Sequence, residues 1–150
     1  MRSSGPNAGI SRVAGVVLLR EDRAALLQLR DEKPGLRASG KWVFPGGHCD
    51  AGEGIEACAM RELYEETDYV CRNVWHLTSI IDDSEAGFEN HYLTFFWAPF
   101  DGRQSLCCRE GQELKFIDRD VASHISSPAY LLTVWDLAIA RFSESIAKGI

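Results

Sequence analysis

Residues 54–67 carry apolar side chains at helical spacing, and three carboxylates crowd the edge of that apolar stripe. With Ile55 at zero on a wheel of about 100° per residue, Ala59 falls at roughly 40° and Leu63 at roughly 80°. Glu62 and Glu66 fall inside or beside the stripe, and Glu65 lies to one side. Glu62 is the i,i+3 neighbour of Glu65 and the i,i+4 neighbour of Glu66, spacings at which like charges repel. A helix of this kind sets its acids at the border of a core, where a cation has to neutralise them. Hard oxygen donors without accompanying His or Cys suit Mg2+ or Mn2+ better than zinc. The plainer alternative is a solvated acidic face. It leaves unexplained why the acids border the stripe, and why Gly46-Gly47 comes shortly before, since paired glycines let a backbone approach a ligand closely and turn carbonyls toward a metal.

The charge of the whole chain has the same centre. Seven acidic residues (Asp50, Glu53, Glu56, Glu62, Glu65, Glu66, Asp68) and one basic residue, Arg61, lie between Asp50 and Asp68. Outside that stretch acids and bases are equal in number, so the entire net charge of −6 resides there. An acidic balance without an extended basic surface argues against stable nucleic-acid binding, mRNA decapping included. The longest apolar run, Val13 to Leu19, is too short to span a bilayer. The N-terminus lacks the apolar core of a signal peptide. Five cysteines without CxxC spacing read as reduced thiols in a cytoplasmic protein. At 150 residues the chain suits one domain, 12–150, behind a flexible leader, 1–11, with no internal repeat.

Val13–Leu19 and Ala24–Leu29 are apolar runs separated by Arg20-Glu21-Asp22-Arg23, which predicts an antiparallel hairpin of buried strands. Further strands are expected at Trp42–Phe44, halted by Pro45, and at Val70–Ile81, His91–Ala98 and Leu114–Ile117. Asp31–Gly40 reads as a loop. Pro128–Ile146 has helical spacing, with Leu131, Val134, Trp135, Leu137, Ala138 and Phe142 on one broad face. Two helices and a majority of strands predict an α/β/α sandwich around a central mixed β-sheet.

Gly47, five residues, Glu53, seven residues, then Arg61-Glu62-Leu63-Tyr64-Glu65-Glu66 closely resembles the box of the Nudix hydrolase family, G-x5-E-x7-R-E-U-x-E-E-x-G-U, where U is bulky and apolar. Asp68 stands where the family has a glycine just past the helix, a left-handed position that Asp tolerates better than most residues. Gly54 stands where Ser or Thr is common and remains an acceptable N-cap; Asp50 and Glu53 have the spacing of a capping pair.

The resemblance implies a hydrolase that cleaves a nucleoside diphosphate linked to another group, with Mg2+ (Mn2+ substituting) as cofactor. By matching positions it implies Glu62, Glu65 and Glu66 as metal ligands, helped by a carbonyl of Gly46 or Gly47. It further implies Arg61 as the residue that orients a glutamate, Glu53 foremost, through a charge-assisted hydrogen bond. For the general base there are three candidates: Glu62 in the box, Glu110 in Arg109-Glu110-Gly111-Gln112, which resembles a loop of the MutT branch, and its neighbour Glu113. A homodimer is an expectation from the resemblance alone.

No proline lies between Pro45 and Pro99, which weighs against the ADP-ribose branch and favours MutT-like action on a (d)NTP, giving the monophosphate and pyrophosphate. The alternatives are a nucleotide-sugar or ADP-ribose-type diphosphatase and a non-catalytic nucleotide sensor of the same fold. Trp42, Phe44, Phe95, Trp97 and Tyr92 are aromatics able to stack a base, with core packing the commoner use in strands, so the residues that contact substrate stay unassigned. Alternation along His91–Trp97 puts His91, Leu93 and Phe95 on one side and Tyr92, Thr94 and Phe96 on the other. His48 reads as a loop side chain, Cys49 and Cys58 as small packing residues, and Cys107-Cys108 as vicinal thiols without a zinc spacing. If the carboxylate cluster is preformed, millimolar Mg2+ raises the melting temperature by mass action; an unchanged Tm in a thermal melt, with and without nucleotide, contradicts a preformed site.

Overall fold

A computed structural model describes residues 10–83 and 85–149, so nearly all of the expected leader lies outside the described residues. Ser11, assigned to that leader, is instead the first residue of a strand. The chain runs β1 (Ser11–Leu19), β2 (Ala25–Leu29), β3 (Trp42–Val43), β4 (Gly46–His48), α1 (Ile55–Thr67), β5 (Trp75–Asp82), β6 (His91–Pro99), β7 (Glu113–Ile117), a short 3-10 helix (Arg119–His124) and α2 (Leu131–Ala147).

One seven-stranded mixed sheet has the order β3-β2-β1-β6-β5, with β4 also pairing β1 and β7 pairing β2. β1 and β6 are parallel in register Ser11↔His91 through Leu19↔Pro99; the other pairs are antiparallel. The continuous apolar run of β1 suits a strand covered on both faces. Ala14, Val16 and Leu18 pack with Cys58, Ala59 and Leu63 of α1. Val17 and Leu19 pack on the other face with Val134, Trp135 and Ala138 of α2. The sandwich expected from the sequence is therefore present, with one helix on each face. Among the described residues no helix is long and apolar enough to cross a membrane.

The differences from the expected elements have local causes. Residues 70–74 are not strand. The Gln104 amide takes the place of a neighbouring strand at Val70, accepting its N–H at 2.7 Å and donating to its carbonyl at 2.9 Å. β4 is a strand made of Gly46-Gly47-His48, a sequence with no strand propensity, and exists because it lies against β1 (Ala14↔Gly47, Gly15↔Gly46). A Cβ on Gly46 would overlap the Ala14 carbonyl and the Gly15 Cα. Gly54 is the N-cap of α1 without a side-chain cap bond, so neither Asp50 nor Glu53 fills that role. Asp68 adopts the left-handed C-terminal position expected of it (φ 68°), and its N–H donates to the Tyr64 carbonyl at 2.9 Å.

Cys49 and Cys58 are joined by a disulfide across a Cα–Cα distance of 5.3 Å. This corrects the expectation of five reduced thiols: β4 delivers Cys49 onto the second turn of α1, where Cys58 is fully buried. Cys71, Cys107 and Cys108 are free. Gly46→Ala is expected to lower stability by about 1–3 kcal/mol through overpacking against β1, measured by urea denaturation; a neutral result would mean that β4 has room to move off β1.

Candidate active site

The site is the seam where α1, β4 and the loop before β7 meet above the middle of the sheet. Pro45 ends β3, and the two glycines then let β4 pass between β1 and α1. A Cβ on Gly47 would occupy the space of the Glu62 carboxylate, so this glycine is required by the acid beside it.

Arg61 organises the outer acids. Its Nε and Nη2 donate to the two oxygens of Glu53 at 2.7 and 2.9 Å, a bidentate fork. Its Nη1 donates to Glu62 at 2.9 Å and to Glu65 at 3.2 Å, and Nη2 also reaches the His48 carbonyl at 3.1 Å. The fork, together with the Asp50 N–H at 3.0 Å, holds the Glu53 carboxyl well down, at about 2. Arg61 is itself raised, first by Glu53.

The inner acids have little relief. Glu66 is only 5% exposed. One of its oxygens accepts from the Gly46 N–H at 3.1 Å and from Gln28 Nε2 at 3.3 Å. Burial, then the neighbouring Glu110 charge, and then a hydrogen bond with the Glu110 carboxyl push Glu66 up to about 9. Burial also raises Glu62, with Arg61 opposing.

Gly46, Gly47, Glu62, Glu66 and Glu110 are among the residues that line a cavity of about 760 Å³. Glu65 does not line it; its carboxylate is half exposed and rests on Arg61. Glu113 is also outside, on β7 with Lys115 at 3.1 Å. Of the candidate bases the fold thus brings Glu62 and Glu110 to the cavity and leaves Glu113 away from it.

Phe44, Phe95 and Tyr130 form the apolar wall, and His91 and Leu93 share the face of Phe95 expected from the alternation along β6. Thr94 and Phe96 point the other way, and Phe96 joins the core under α1. Trp97 stacks on Phe142 at 5.5 Å, and Trp42 lies under Lys115. Neither Trp97, Trp42 nor Tyr92 borders the cavity. His48 sits at the rim, edge-to-face with His91 at 5.0 Å.

Three residues escaped the sequence reading. Gln28 is 2% exposed in an otherwise apolar strand, and a polar residue inside such a run signals a buried partner, here Glu66. Arg30 and Lys41 are opposite one another where β2 meets β3, linked by the Arg30 N–H to the Lys41 carbonyl at 3.0 Å, and both line the cavity. Among the described residues neither forms an ion pair, although like charges facing each other across strands repel.

The family model for the NUDIX domain matches residues 9–132. A Xenopus laevis protein, "Nucleoside diphosphate-linked moiety X motif 6", is 47% identical over 55 residues, 37% of this chain and 24% of that protein. "Putative 8-oxo-dGTP diphosphatase" of Bacillus subtilis (strain 168) is 41% identical over 56 residues, 37% of this chain and 34% of that protein. The matched parts are thus well under two thirds of those relatives' lengths. The crystal structure of the MutT protein of Methanosarcina mazei Go1 superimposes with a TM-score of 0.74 at 18% identity, covering 88% of this chain and 94% of that one.

The raised Glu66 has a consequence for the metal-free protein. The unfolded chain loses this proton near 4.5, whereas the folded chain keeps it to about 9. Between those values the folded state binds the extra proton, so stability is greatest at the acid end and falls as pH rises. In chelator, the urea midpoint is expected to decline between pH 5 and 9, with Glu66→Gln flattening most of the slope; an equal slope in both proteins contradicts the assignment.

Proposed function

The chain belongs to the Nudix family, and from that premise we propose that it is a Mg2+-dependent pyrophosphohydrolase that cleaves a nucleoside triphosphate to the monophosphate and pyrophosphate. The observation that carries this reading is the convergence of Glu62, Glu66 and Glu110 on a cavity that Phe44, Phe95 and Tyr130 and the basic Arg30 and Lys41 also line, with Asp82, Glu85 and Glu89 as further acids on its wall. The donors fit a hard divalent ion. They are carboxylate and carbonyl oxygens, and burial together with the neighbouring acid raises Glu66, a setting that a hard cation relieves. Glu62 and Glu66, with a carbonyl of Gly46 or Gly47, would hold it, and Glu65 would join by turning off Arg61. Mn2+ is expected to substitute. The ion supplies charge neutralisation at the phosphoryl oxygens and acidifies the attacking water.

The chain's own residues do the rest. Arg61, braced by Glu53, fixes the Glu62 carboxylate, so that this ligand loses little freedom when substrate arrives. Glu110, which lines the cavity beside Glu66, accepts the proton of the attacking water as general base. Arg30 and Lys41 face the cavity without a carboxylate partner and suit the oxygens of a phosphate chain. Phe44, Phe95 and Tyr130 offer an apolar wall to a base. The identity shared with a protein named for 8-oxo-dGTP supports placing oxidised as well as ordinary nucleoside triphosphates first in the test.

Product-resolved turnover with Mg2+ or Mn2+ checks the proposal. The panel is ordinary and oxidised nucleoside triphosphates, ADP-ribose, nucleotide sugars and dinucleoside polyphosphates. Pyrophosphate and monophosphate are expected, with kcat lowered by roughly 10²–10⁴ in each of Glu62→Gln, Glu66→Gln and Glu110→Gln. Two monophosphates from a diphosphate-linked substrate would move the protein to that substrate class. Nucleotide binding without turnover would make it a sensor.

A further inference from the structure

We infer that Asp68 is a positioning residue: it grips Arg109 and so sets Glu110 into the carboxylate cluster. This inference rests on the reading of Glu110 as the general base and concerns how that loop residue reaches its place.

Asp68 ends α1 in the left-handed conformation, where glycine has no steric cost and Asp retains some. An aspartate here contributes something other than backbone fit. Its two oxygens accept from Arg109 Nε at 3.0 Å and Nη2 at 2.9 Å, a bidentate pair. Arg109 immediately precedes Glu110. The same stretch is bound to the end of the helix by its backbone: the Cys107 N–H donates to the Thr67 carbonyl at 2.9 Å and the Arg109 N–H to the Glu66 carbonyl at 3.0 Å. These are terminal carbonyls that lack a partner within the helix.

On the other side of Glu110 the chain is just as constrained. Gly111 has φ +80°, and a Cβ there would overlap the Leu29 carbonyl, while the Gln112 N–H donates to that carbonyl at 2.8 Å. Glu110 is therefore held between an anchor on α1 and an anchor on β2. The left-handed turn at Asp68 is what aims its carboxylate sideways, off the helix axis and at the loop. An exposed ion pair adds little to global stability. What the fork fixes is orientation, because a planar guanidinium held at two points cannot swivel.

The test separates the clamp from the base. Asp68→Gly keeps the helix end and removes the grip, so Tm is expected to stay level or rise. In the same variant kcat should fall about 10-fold with KM within about 2-fold, as expected for a misplaced catalytic group. In the metal-free protein, hydrogen exchange at the Cys107 and Arg109 amides should quicken. Arg109→Gln should reproduce these effects, and Arg109→Lys, which keeps the charge and loses the fork, should fall between. In a Glu110→Gln background Asp68→Gly should cost less than about 2-fold, because residues acting through one group are not additive. Wild-type kcat in Asp68→Gly beside an impaired Glu110→Gln overturns the clamp and leaves the base standing. Losses that multiply overturn it too. Wild-type kcat in Glu110→Gln removes the base reading itself, and with it this inference, whatever the exchange data show.

Discussion

A carboxyl group buried between a helix and a sheet is the constraint around which the rest of this molecule is arranged. Glu66 is 5% exposed on the inward side of α1, a position that an apolar residue would fill without cost. Instead the neighbourhood is built to receive it. The Gly46 N–H is free to donate because β4 turns it away from β1, and Gln28 is placed in a strand that is apolar elsewhere. Neither donor carries a charge, and Glu110 adds a second acid. Hydrogen bonds satisfy the polar atoms but leave the ionised form poorly stabilised. Burial and the second acid therefore favour the neutral form of Glu66.

Arg61 divides the glutamates of the box into two sets. Glu53 takes the strong bidentate fork and becomes a brace, ionised under all ordinary conditions. Glu62 receives a single N–H and stays half committed, with its other oxygen against Gly47. Glu65 hangs on the solvent side of the same nitrogen. One guanidinium thus grips Glu53 at two points and reaches Glu62 and Glu65 with its remaining nitrogen, a set of contacts that a planar fork makes and a lysine could not.

The fold was legible in the sequence where periodicity is strong. The seven-residue apolar run of β1 announced a strand buried on both faces, and the faces of α1 and α2 followed from 3.6-residue spacing. The box was legible because its acids break that spacing in a way that costs stability. What stayed hidden was set by tertiary contact. β4 has no local propensity and depends on the missing side chains of Gly46 and Gly47. Residues 70–74 look like strand until Gln104, 34 positions away, occupies the backbone at Val70. Cys49 and Cys58 read as packing residues, which they also are, and no spacing rule pairs two cysteines nine apart. Arg30 and Lys41 became meaningful only when β2 and β3 set them side by side.

The two walls of the site are held in different ways, and this bears on how it works. The wall that carries Glu53, Glu62 and the glycines is fastened redundantly. Cys49 is bonded to Cys58, Arg12 donates to the Asp50 and Glu53 carbonyls at 3.1 Å, and Arg61 clasps Glu53. The disulfide and Arg61 tie the loop to α1, and Arg12 ties it to β1. The wall that carries Glu110 is tied to the end of α1 by two backbone hydrogen bonds and one exposed fork, and to β2 by the Gln112 N–H on the Leu29 carbonyl. Electrostatic stabilisation requires groups already in place before charge develops, and the first wall meets that demand. The two walls are thus fastened by different means, the first by a disulfide and side-chain guanidinium ties, the second mainly by backbone hydrogen bonds on either side of Glu110.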